Sequence, residues 1–78
     1  MKIKFQSIDQ IESFLDITQN MEADVFVHQG TLQLDAKSSM GMLKIPLNYA
    51  VEIEIIEKKG IAELPNFIKR CSAIGIVI

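Results

Sequence analysis

Soft metal ligands are almost missing from this chain: one cysteine, Cys71, and one histidine, His28. A lone cysteine cannot close an internal disulfide, which fits a reducing cytoplasm, and the two ligands together are too few for a metal cluster. Tryptophan is absent, and the four glycines are dispersed, so no glycine-rich phosphate loop can be assembled. Eight lysines and arginines face ten aspartates and glutamates, a net charge of −2, with no basic stripe of the kind nucleic-acid binding needs. No apolar run approaches the roughly 20 residues of a membrane helix, and Met1–Phe5 alternates over too short a stretch for a signal peptide. With a single histidine, no Ser-His-Asp set can form unless His28 serves it. A stand-alone enzyme is therefore the weakest class, and no cofactor is expected.

What is present is apolar and periodic. Hydrophobic residues make up 49% of 78 residues, enough for a real core in one domain spanning 1–78. A chain this short buries only about 60–65% of its unfolded surface, so a deep pocket is not expected. Ile3 and Phe5 alternate with Lys2, Lys4 and Gln6, the period of a short strand. Ser7-Ile8-Asp9-Gln10 reads as a capping box opening a helix. Ile8, Ile11, Phe14, Leu15 and Thr18 form its apolar stripe, and Asn20 ends it near Met21. Val25 and Val27 alternate with Phe26 and His28. Gln29-Gly30 marks a tight turn, and Leu32 and Leu34 continue inward on a paired strand. Ser38 can cap a short helix to about Leu43, closed by Pro46.

Tyr49, Val51, Ile53 and Ile55 alternate with Ala50, Glu52 and Glu54, the clearest strand of the sequence. Its outward face is acidic and that of the first strand basic. Pairing the two would set Lys2 and Lys4 beside Glu52 and Glu54. After the polar turn Glu57-Lys58-Lys59-Gly60 comes a last helix, with Pro65 in its first turn, Lys69 and Arg70 near its end, and Phe67, Ile68, Cys71 and Leu64 as its buried stripe. The tail Ala73–Ile78 is apolar, suited to a short edge strand or an interface. The predicted class is α+β, β-α-β-β-α-β-α, with helices on one face of an antiparallel sheet. The pattern by itself also permits a ferredoxin-like variant.

The stretch Asp35-Ala36-Lys37-Ser38-Ser39-Met40-Gly41-Met42-Leu43 resembles the regulatory-serine segment of the HPr family, the small phosphocarriers of the bacterial sugar phosphotransferase system. Ala36, Lys37, Ser38, Met40 and Gly41 match in order, while Ser39 replaces the family's apolar residue. Counting back without gaps places Phe14 on the family's first-helix aromatic. The resemblance covers about residues 1–71, with only the serine segment specific. It implies an open-faced two-layer sandwich with a four-stranded sheet of order 1-4-2-3. It also implies that the active-site histidine position holds Ser7 and the nearby arginine position Asp9. The loop that carries Gly-Leu-His-x-Arg-Pro in the family is missing.

These two positions decide what chemistry the resemblance can carry. A phosphocarrier uses a neutral imidazole at a helix N-terminus, with free N–H groups and an arginine steadying the added charge. Ser7 has no base to activate it, and Asp9 places negative charge where positive is wanted. Ser7 is equally well explained as an N-cap, and Cys71 as a small core residue.

Ser38 is the candidate phosphorylation site that the resemblance implies, since the family's serine is modified by a dedicated kinase and then binds a transcriptional regulator. A capping serine alone explains it too. Lys37, Met40, Met42 and Leu43 are the candidate partner contacts, set against a reading in which Met40 and Leu43 are core. Three readings follow. In the first, a non-catalytic regulatory or protein-binding module, phosphohistidine transfer is lost and the partners are phosphotransferase-system or regulatory proteins. In the second, a working carrier has its site relocated to His28, which otherwise is a surface histidine beside a turn. In the third, a structural or assembly subunit dimerises through the apolar tail.

Overall fold

The computed structural model describes residues 1–78. Seven elements follow in order: β1 (Lys2–Lys4), α1 (Ile8–Gln19), β2 (Asp24–Gln29), β3 (Leu32–Asp35), α2 (Ser39–Met42), β4 (Ala50–Ile56) and α3 (Leu64–Ala73). The strands form one antiparallel sheet of order β1-β4-β2-β3, so the expected α+β class, element order and strand order are all observed. No helix is long and apolar enough to cross a membrane.

Period-2 patterning builds the inner sheet face. Ile3, Val25, Val27, Val51 and Ile53 are buried, and their chain neighbours are less so. Across from them, α1 buries Ile11, Phe14, Leu15, Ile17 and Thr18, and α3 buries Phe67 and Cys71. Three phenylalanines join the layers edge to face: Phe5 to Phe14 at 5.3 Å between centroids, and Phe14 to Phe67 at 5.9 Å. Such pairs add about 0.5–1.5 kcal/mol beyond area burial. The β2–β3 hairpin turns on Gly30 and Thr31, and Gly30 takes φ 58°, a value glycine adopts without steric cost.

Several sequence expectations change in detail. Lys2 pairs with Glu52 as expected, but Lys4 faces Ala50, and Glu54 lies across from Phe26 on β2. The strand β1 is too short to reach Glu54. Ile8 sits at the first turn of α1, where the stripe has not yet reached the sheet, and it is exposed; Ile17 is buried in its place. Ile68 and Leu64 are also partly exposed, because α3 presents only a narrow face.

The apolar tail turns back on its own chain. Ile3 bridges Val77, the Lys4 N–H donates to the Ile76 carbonyl (2.8 Å), and the Ile78 N–H donates to Lys2 (3.1 Å). Ile76 thereby enters the core and covers one sheet edge, leaving Val77 and Ile78 as the exposed apolar part of the tail.

Candidate interaction surface around the second helix

The segment before α2 is clamped to the end of α1. The Thr18 hydroxyl, fully buried, donates to the Ala36 carbonyl (2.7 Å). The Gln19 amide donates to the Lys37 carbonyl (3.1 Å), and the Lys37 ammonium donates to the Met21 carbonyl (2.8 Å). Lys37 therefore ties two elements together, and its charge is already engaged. The Ser38 hydroxyl oxygen accepts from the Gly41 N–H (3.1 Å), the N-cap bond expected of it. A Cβ at residue 41 would stand 3.3 Å from the Ser38 Oγ, so glycine there lets the capping serine come close.

This short helix sorts its apolar residues sharply. Met42 is 0% exposed and belongs to the core, whereas Met40 is 80% and Leu43 63% exposed. Met42 is thus removed from the expected contact set, because it points toward the sheet when its neighbours point away. Met40 and Leu43 are correspondingly not core.

Beyond the helix, the Asn48 N–H donates to the Phe5 carbonyl (2.7 Å), drawing the loop after α2 alongside the start of α1. Asn48 takes φ 67°, a left-handed value that asparagine tolerates better than most residues. Tyr49 next to it is 62% exposed, and Ile8 on α1 is 54% exposed. Neither was expected at the surface. Ile8 carried a signal in its position directly after the cap, and Tyr49 in its position at the strand's outer end. Between Ala36 and Val51 the chain holds Lys37 and Lys44 and no carboxylate, although exposed Asp35 precedes this stretch and exposed Asp9 follows Ile8 on α1.

Ser7, where the resemblance would place a histidine, is the N-cap of α1 in this chain. The Ser7 hydroxyl oxygen accepts the Gln10 N–H (3.3 Å), while the Gln10 side-chain oxygen accepts the Gln6 N–H (2.7 Å), one residue earlier than the expected capping box. Asp9 stands exposed in the first turn. His28 lies on the uncovered sheet face, with its Nε2 2.7 Å from the Glu54 carboxylate and Glu52 its register partner on β4. Its neighbours on β4 are carboxylates, and its register partner on β3 is Gln33. Cys71 is buried on α3, and burial pushes its thiol up to about 11.

No protein-family profile matches the chain, and neither the curated proteins nor the solved structures contain a significant match.

Proposed function

We propose that this chain is a non-catalytic module of the HPr type that docks on another protein through α2 and its flanking loop. The observation that carries the proposal is the outward turn of Met40 and Leu43 on a helix whose third apolar residue, Met42, is fully buried. An apolar side chain held in water on an ordered, capped helix gains by being covered. Methionine suits a surface that must adapt to its partner. The partner chemistry that fits is an apolar surface with a carboxylate to meet Lys44, an exposed cation without an ion pair in the chain.

Loss of phosphohistidine transfer is supported by two local arrangements. Ser7 and Asp9 offer neither an imidazole nor a cation at the start of α1. His28 is flanked by Glu52 and Glu54, which would repel an incoming phosphoryl group. A phosphoryl group on Ser38 would meet the Gly41 N–H and would compete with the Met21 carbonyl for the Lys37 ammonium.

The test is site-specific photocrosslinking in the cells that make the protein, with a photoreactive residue at position 40 or 43 and, as control, at position 59 in the polar turn. A discrete crosslinked protein from positions 40 and 43 and none from 59 is the expected result. Equal yields from all three positions, or none from 40 and 43, would overturn the proposal.

A further inference from the structure

A groove of about 250 Å³ runs between the end of α1 and one face of α3, and none of its lining residues belongs to α2 or its loops. Its floor is apolar: Ile17 and Phe67 are buried beneath it and Met21 is half-buried beside it. Along α3 the lining residues are Glu63, Asn66, Phe67 and Arg70, spaced by three and four, so they share one helix face. At the end of α1, Ile17, the C-cap Asn20 and the following Met21 repeat the same spacing.

The hydrogen-bonding groups around this floor divide into used and unused. Both Glu63 oxygens are taken, one by the Ala23 N–H (2.7 Å) and the other by the Glu22 N–H (3.2 Å). Asn20 donates its amide to the Asp16 carbonyl (2.7 Å), which leaves its side-chain oxygen as a free acceptor. Arg70 has no carboxylate within ion-pair distance, and its guanidinium bonds to nothing in the chain. The Asn66 amide, one turn before it, is exposed and likewise makes no hydrogen bond within the chain. Glu63 does not neutralise Arg70, because seven residues of helix separate them by about 10 Å.

We propose that this groove binds a small monocarboxylate with an apolar body, the size of an aromatic or branched-chain acid. The guanidinium fork matches a carboxylate bidentately, and the Asn66 amide one turn away supplies a further donor. The volume lies below the roughly 300–1,000 Å³ of drug-sized sites, which sets the size. A single free cation, with a fixed carboxylate at the far end of the same groove, favours a monoanion over a phosphate dianion. This site is independent of the docking surface on α2.

The test is a titration of the 15N-labelled full chain, followed by amide chemical shifts, with 3-phenylpropionate and separately with 3-phenylpropionamide. The acid should give saturable shifts at Ile17, Met21, Phe67 and Arg70 with a dissociation constant of millimolar order. Arg70→Gln should weaken the acid about tenfold and leave the amide unchanged, and Arg70→Lys should fall between. The unliganded spectrum of each variant reports whether its fold is retained. Equal affinity for acid and amide, indifference to Arg70→Gln in a folded variant, shifts scattered over other surfaces, or no saturation by roughly 50 mM would each overturn the proposal.

Discussion

Replacing Met42 by alanine empties a site that no solvent reaches, and we expect it to cost about 2–5 kcal/mol of stability. Met40→Ala, two residues away, should change stability by less than about 0.5 kcal/mol, because its side chain already stands in water. Urea denaturation of the two variants checks the difference. Loss of crosslinking from position 43 in the folded Met40→Ala protein would tie that same exposed residue to docking. Cys71 is the second residue with a sharp expectation. Burial raises its thiol to about 11, so thiolate is scarce at pH 8. A thiol reagent should therefore leave the native protein almost unlabelled at pH 8 and label it rapidly in denaturant. Fast labelling of the native protein would show that α3 packs differently.

Among the elements, α3 has the least ordinary start. Its N-cap, Glu63, makes no side-chain cap bond of its own. Instead the Glu57 carboxylate, from the end of the preceding strand, accepts the N–H groups of Glu63 and Leu64 (3.0 Å to Leu64), and these bonds hold its pKa below the ordinary value. The stabilisation is therefore present above the unfolded pKa of about 4.3 and is lost as pH falls through the lower folded value. We expect Glu57→Gln to lower the melting temperature at pH 7 and to lower it much less at pH 3. Equal effects at both pH values would contradict the role given to the charge.

The elements themselves were legible because each has a local signature. Alternation marked β2 and β4, Ser7 and Ser38 marked two helix starts, and Pro65 marked the third. The Glu57 cap was not legible, since it joins residues six and seven apart across a loop whose shape no periodicity records. The exposure of Ile8 and Tyr49 was hinted at only by their positions. Both belong to apolar patterns, yet both sit at the end of an element, where the pattern continues after the packing partner has stopped.

At the scale of the whole molecule, opposite charges on β1 and β4 pointed to those strands as neighbours, and the sheet order β1-β4-β2-β3 places them together. The register could only be half read, since Lys2 meets Glu52 but Lys4 meets Ala50. The candidate surface was legible as a segment and not as a face. The motif at 36–41 located α2, but only the packing of Met42 against the sheet divides the segment into core and surface. The groove beside Arg70 left no sequence signal, because its residues come from two segments, 17–21 and 62–70, more than forty positions apart.

What we propose is a docking surface on an HPr-like scaffold that lacks a phosphate-accepting imidazole. It is tested most directly by incubating the full chain with labelled phosphoenolpyruvate and the first enzyme of the phosphotransferase system, then measuring acid-labile phosphate on the chain. We expect none above background. Stoichiometric acid-labile label that disappears on His28→Ala would contradict the claim and make the chain a carrier.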